Sequence, residues 1–166
     1  MGNTARSQMA EGLFNADPPP GWRARSAGTE PKPALRPEAV AVMREVGVDI
    51  SAHRPKGMAE ALGPDVALVV GLCAEEACPV VPGARSLHWP LPDPRPGDLE
   101  HMRALRDELR RRIAALRTAL EAGVAGDEGE GGGDAAGTEA GGGTVGGGED
   151  STAVESATGE EGERGR

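Results

Sequence analysis

Six consecutive residues near the start of the chain, Gly2-Asn3-Thr4-Ala5-Arg6-Ser7, have the types and order needed to hold a tetrahedral oxyanion. They run into Gln8-Met9-Ala10-Glu11-Gly12-Leu13-Phe14, which reads as the start of a helix. An oxyanion needs several donors converging on one point. Successive backbone N–H groups in a tight turn form such a nest, and the N-terminus of the following helix adds partial positive charge. Gly2 supplies backbone freedom, and Asn3 tolerates a left-handed conformation. Arg6 carries a planar fork that can grip two oxygens at once. Ser7 can donate to a thiolate and lower its pKa, which a Cys nucleophile requires. Taken alone, the segment also reads as an ordinary Ser-capped helix behind a short disordered start.

A second chemistry rests on the two cysteines, Cys73 and Cys78, separated by Ala74-Glu75-Glu76-Ala77. In a cytoplasmic chain two such thiols point to redox chemistry or unpaired thiols before a structural staple. The three histidines, His53, His88 and His101, show no metal-type spacing with them, so no metal site is expected. Neither a dinucleotide fingerprint nor a Walker loop is present.

The elements that must position these residues alternate in type. A helix is expected over 6–15, and a strand over 22–27 ends at Gly28. Residues 37–46 read as a helix with Pro37 in its first turn and Gly47 as its stop. A short helix over 56–62 is ended by Gly63-Pro64. Val66-Ala67-Leu68-Val69-Val70 is a continuous apolar run, the mark of a strand buried on both faces. Another strand is expected over 86–91. Residues 98–122 form a long helix, with Leu99, Met102, Leu105, Leu109, Ile113, Leu116 and Leu120 at three- and four-residue spacing. This alternation predicts an α/β fold with a parallel sheet. Arg110-Arg111-Arg112 reads as a solvated face of the long helix, and no nucleic-acid partner is expected.

The charge is unevenly distributed. Residues 1–123 carry 16 basic and 16 acidic side chains; residues 124–166 carry 2 basic and 11 acidic, which accounts for the net charge of −9. The same C-terminal stretch holds 15 of the 26 glycines. Such a composition cannot bury a core, so the folded domain is expected over 1–122, with 123–166 a disordered Gly/Glu-rich acidic tail. No apolar run is long enough to span a membrane and no secretory signal is visible, so a cytoplasmic protein is expected, with no membrane partner.

Gly-Asn-x-x-Arg-Ser entering a helix resembles the back half of the phosphate loop C-x5-R-S of the low-molecular-weight protein tyrosine phosphatases and the arsenate reductases that share their fold. Counting back from Arg6 puts the nucleophilic Cys of that loop immediately before Met1. The likeness continues in order along the chain. Ser26-Ala27-Gly28-Thr29-Glu30-Pro31 resembles the segment after the family's second strand. Met43-Arg44-Glu45-Val46-Gly47-Val48-Asp49-Ile50-Ser51 resembles its second helix and the following turn. Ala77-Cys78-Pro79, Pro82-Gly83, His88-Trp89-Pro90 and Asp93-Pro94 resemble its redox and acid loops.

The resemblance implies a small four-stranded parallel sheet flanked by helices, with the oxyanion loop after the first strand. That first strand, an apolar run ending in the nucleophilic Cys, is missing here. A start placed too late would explain this, since relatives often hold Val at the position of Met1 and a Val codon can serve as a bacterial start. The alternative is a genuine truncation. Either way the chain as given is expected to be inactive unless extended upstream. By resemblance, Gly2, Asn3, Thr4, Ala5, Arg6 and Ser7 bind the oxyanion and Asp93 is the acid that protonates the leaving oxygen. No aromatic residue follows Asp93 to grip a phenyl ring. Cys73 and Cys78 stand where the thioredoxin-coupled reductases carry their relay pair. Reducing arsenate to arsenite takes two electrons, which thiols supply by ending as a disulfide. The spacing of this pair is shorter than in several relatives, which leaves the reductant open. The leading expectation is therefore a thiol-dependent arsenate reductase acting as a monomer, with no bound cofactor and with thioredoxin or a similar thiol as external reductant. A phosphatase acting on phosphate monoesters and a non-catalytic oxyanion-binding remnant are the alternatives.

Overall fold

The computed structural model of the chain describes residues 2–73, 81–123 and 150–156. Helix α1 spans Arg6–Asn15 and packs on strand β1, Trp22–Gly28. The N-cap of α1 is Ala5, with no side-chain cap, and Ser7 lies inside the first turn. The Ser-capped reading of this segment is therefore set aside. Helix α2, Pro37–Arg44, starts on its proline as expected. Its chain turns off at Gly47, whose φ of 78° suits a residue without a Cβ. The short helix α3 covers Met58–Ala61, shorter than the 56–62 expected, because Gly57 before it and Leu62 after it are both extended. Helix α4, Leu99–Glu121, is capped by Asp98, whose Oδ1 accepts from the His101 N–H at 2.9 Å.

Strands β2, Val66–Gly71, and β3, Arg85–His88, pair in parallel. Beyond His88 the chain still bonds to the end of β2, with Trp89 N–H on Gly71 O at 2.7 Å and Leu91 N–H on Leu72 O at 3.3 Å. Pro90 between them has no N–H to offer, so the expected strand over 86–91 is interrupted rather than absent.

The sheet contains four strands in the order β1-β4-β2-β3, where β4 is Asp150–Ser156. β1, β2 and β3 share one sense, and β4 runs antiparallel to both its neighbours. Residues 150–156, inside the stretch whose composition reads as an acidic tail, form the strand between β1 and β2. Those two strands present facing rows of N–H and C=O groups that need partners. Ser151-Thr152-Ala153-Val154-Glu155-Ser156 contains no Gly or Pro and includes β-branched residues, which suits it to the position. The register pairs Ala24 and Leu68 with Val154 on either side.

One core contains Met9, Ala10 and Phe14 of α1, Val42 and Met43 of α2, Leu68 and Val70 of β2, and the apolar stripe of α4 from Met102 to Leu120. Val66 and Val69 of β2 pack on the other face with Leu62 and Val81. β2 is thus buried on both faces, as its unbroken apolar run predicts. Leu99, counted in the α4 stripe, is 39% exposed at the start of the helix.

Candidate oxyanion site

The site is assembled where three connections meet: residues 2–5 ahead of α1, the β1–α2 connection, and residues 89–98 ahead of α4. The turn before α1 is held by its carbonyls. Gly2 O accepts from Lys32 N–H and Thr4 O from Arg36 N–H, each at 3.0 Å, and Ala5 O accepts from Met9 N–H at 2.9 Å. With carbonyls engaged in this way, the peptide N–H groups are the part of such a turn that an anion occupies.

Asn3 fixes the turn. Its φ is 52°, the only positive φ among the described non-glycine residues, and its side chain is fully buried. Asn3 Nδ2 donates to Ser7 Oγ at 2.9 Å, while Oδ1 accepts from Gln8 Nε2 at 2.7 Å and from Lys56 N–H at 2.8 Å. Since Ser7 Oγ accepts from Asn3, the Ser7 proton can be given to a partner in the turn, as the thiolate-stabilising role requires. A Cβ at position 2 would stand 2.8 Å from Cγ of the exposed Lys32 side chain, which would have to move aside.

Arg6 is 1% exposed and reaches from the start of α1 to residues 89–98 and to the end of β2. Its Nη1 donates to Leu91 O at 2.6 Å and to Leu72 O at 3.4 Å. Its Nη2 lies 3.5 Å from Asp93 Oδ1. The expected acid and the expected oxyanion-holding arginine, far apart in sequence, therefore meet in the fold. Asp93 is about half exposed, the state of a group that has to reach an incoming substrate. Cys73 follows Leu72 directly and is buried, with its carbonyl accepting from His88 Nε2 at 2.8 Å. Cys78, its expected partner, lies outside the described residues.

Sequence reasoning missed the supports of the site. Gln8, fully buried, bonds Asn3 on one side and Arg54 O on the other at 2.9 Å, and its Oε1 accepts from His53 Nδ1 at 3.2 Å. Glu11 Oε2 accepts from Ser26 N–H, Ser26 Oγ and Lys56 Nζ, which ties α1 to β1 and to the segment after Arg54. Glu38, in the first turn of α2, accepts from Gly97 N–H at 2.7 Å. Its own backbone N–H and that of Gly97 lower its pKa. A buried Gln and a Glu one turn further on α1 were the available signals, but nothing in the local sequence announces their distant partners. Among the described residues, no group of His, Cys, Asp and Glu is arranged to hold a metal ion.

The model for the low molecular weight phosphotyrosine protein phosphatase family matches residues 1–125. The chain belongs to that family. Arsenate reductase 2 of Staphylococcus epidermidis is 34% identical over 120 residues, covering 70% of this chain and 91% of the relative. An arsenate reductase of Staphylococcus aureus is 36% identical over 119 residues, covering 70% and 90%. Among solved structures, an arsenate reductase from Archaeoglobus fulgidus superposes with a TM-score of 0.63 at 31% identity, over 71% of this chain and 94% of that one. An arsenate reductase solved in a phosphate-binding state gives 0.60 at 27% identity, over 72% and 92%. A thioredoxin-dependent arsenate reductase from Corynebacterium glutamicum gives 0.60 at 25% identity, over 74% and 58%. The chain shares with these solved structures an α/β fold with helices flanking a parallel sheet.

Proposed function

We propose that this member of the phosphatase family is a thiol-dependent arsenate reductase. The observation that carries the reading is the position of Arg6. Its guanidinium joins the oxyanion turn, the acid Asp93, and the end of β2 from which Cys73 follows. A phosphatase needs the first two of these. A reductase also needs further thiols, and Cys73 directly follows Leu72, whose carbonyl accepts from Arg6. The arsenate reductase names of the relatives support the same choice.

In this reading Arg6 and the N–H groups of residues 2–7 hold arsenate, with the dipole of α1 behind them. The attacking thiolate belongs at the position immediately before Met1 in the family's loop. It displaces an arsenate oxygen, which leaves as water once Asp93 has supplied a proton. A second thiol, from the Cys73 and Cys78 pair, attacks the arsenylated sulfur. The S–S bond takes one electron pair from sulfur to arsenic, and arsenite departs. The remaining thiol of the pair exchanges the disulfide to the surface, where thioredoxin or a similar thiol reduces it. No bound cofactor is required. A reducing cytoplasm is the compartment in which such a cycle turns over, and a monomer suffices for it.

The test compares the 166-residue chain with a form carrying an apolar strand ending in Cys immediately before Met1. Each is assayed with arsenate, thioredoxin and thioredoxin reductase, alongside p-nitrophenyl phosphate hydrolysis. The extended form is expected to consume arsenate, and Cys73→Ser or Cys78→Ser to abolish that turnover. Ester hydrolysis without arsenate consumption would establish the phosphatase reading instead. Oxyanion binding with neither turnover would leave a binding remnant.

A further inference from the structure

Arg36 stands just before Pro37 at the N-cap of α2, where it makes three contacts with two different loops. Its N–H donates to Thr4 O of the oxyanion turn at 3.0 Å. Its Nη1 donates to Pro94 O at 2.5 Å, and its Nη2 donates to Asp93 Oδ2 at 3.2 Å. One residue thus joins the turn that receives the anion to the loop that carries the acid. We propose that Arg36 is a positioning residue that holds Asp93 beside the bound oxyanion while keeping its carboxylate from competing for Arg6.

The argument is one of charge. Asp93 lies between two cations, with Oδ1 3.5 Å from Arg6 Nη2 and Oδ2 3.2 Å from Arg36 Nη2. An arsenate or phosphate entering the turn brings further negative charge to Arg6. A carboxylate whose sole partner is Arg6 contests that guanidinium with the ligand, or is repelled from the site by it. Arg36 gives Asp93 a second partner on the side away from Arg6. The carboxylate can then yield Arg6 to the oxyanion without leaving the site. The grip on Pro94 O is independent of the protonation state of Asp93, so the loop stays in place while the acid carries its proton and cannot form the ion pair. Glu38, in the first turn of the same helix, holds the other end of the loop through Gly97 N–H. The Arg36 side chain is 24% exposed and that of Asp93 48%, so the pair is screened by solvent on the Asp93 side.

The inference rests on the oxyanion reading of residues 2–7. The experiment separates the two by titrating the full chain with inorganic phosphate in a calorimeter, which needs no turnover. For Arg36→Gln the phosphate Kd is expected to rise about tenfold, a change of about 1.4 kcal/mol. Arg36→Lys, which keeps the charge without the fork, is expected to recover part of this. Adding Asp93→Asn to Arg36→Gln is expected to restore tight binding, because the competitor for Arg6 is then neutral. A purely structural role of Arg36 would give additive effects and no such rescue. Wild-type binding with an unchanged Kd in both Arg36 variants, or the absence of rescue, overturns the proposal and leaves the oxyanion site standing. A wild-type chain that takes up no phosphate sinks the site reading and this proposal together.

Discussion

The two ends of α2 each carry a cluster of arginines and carboxylates, built for different purposes. At the N-terminal end, Arg36 and Glu38 reach across to loop atoms, Pro94 O and Gly97 N–H, and to the acid Asp93. At the C-terminal end, Glu45 gathers Arg103 and Arg106 from α4, and Arg106 Nη1 also donates to Val42 O at 2.9 Å. The second cluster locks one helix to another. The first holds two loops in register over a buried guanidinium. Counting charges does not tell the two apart. The difference lies in what stands behind them: Asn3, Arg6, Ser7 and Gln8 form a connected set of buried polar residues, whereas between α2 and α4, among the described residues, Arg106 alone is a buried charged residue amid apolar side chains. Buried polar groups are costly unless fully partnered, so a connected set of them marks a place where geometry is being held.

This contrast can be broken most severely at Arg6. Arg6→Ala is expected to weaken phosphate binding by at least about 100-fold, since it removes the anion's fork. It is also expected to destabilise the fold by about 2–3 kcal/mol, because the carbonyls of Leu72 and Leu91 lose their donor. Calorimetric titration and urea unfolding read the two effects separately. Next in size is Asn3→Ala. It strands the Lys56 N–H and a Gln8 donor and puts alanine at a φ of 52°, for a loss of about 2 kcal/mol by urea unfolding. Phosphate binding is expected to fall with it, because the turn is no longer fixed.

At the other end of α2, Arg106→Ala is expected to cost about 1–2 kcal/mol in urea unfolding and to leave the phosphate Kd unmoved. A change in Kd would mean that the two clusters are coupled through α2. The smallest effect is on pH dependence. Hydrogen bonding from Arg103, followed by that from Arg106, lowers the Glu45 pKa from its usual 4.5 to about 2. A carboxylate whose pKa is depressed on folding contributes stability that is complete above its unfolded value. That stability is lost as pH falls from about 4.5 towards 2. Glu45→Gln is therefore expected to flatten the acid limb of a plot of Tm against pH. An unchanged acid limb would assign the loss of stability to other carboxylates.

How much of this was legible varies from element to element. Val66 to Val70 reads as a doubly buried strand because burial on both faces leaves no polar alternation, and the apolar stripe of α4 reads as helix for the matching reason. The turn Gly2–Ser7 was legible as a tight turn entering a helix, with Asn3 at the left-handed position, because those signals are local; its anion-holding role is the reading proposed above. Arg36 was not. Its partners Asp93 and Pro94 lie far along the chain, and Arg36-Pro37 announces only a helix start. Gln8 and Glu11 were hidden in the same way: they sit on a helix whose pattern says nothing about Arg54 or Ser26. β4 was hidden by averaging. The composition of residues 124–166 is that of an unfolded chain, and a seven-residue strand inside it hardly alters the mean.

The place of β4 also governs the order in which the molecule can be completed. Among the described residues β1 and β2 are joined through β4, which is made after all the other elements. Pairings such as Trp22 with Ser156 span most of the chain, and contacts of that range slow folding. A strand supplied so late makes this pairing one of the last steps in completing the sheet.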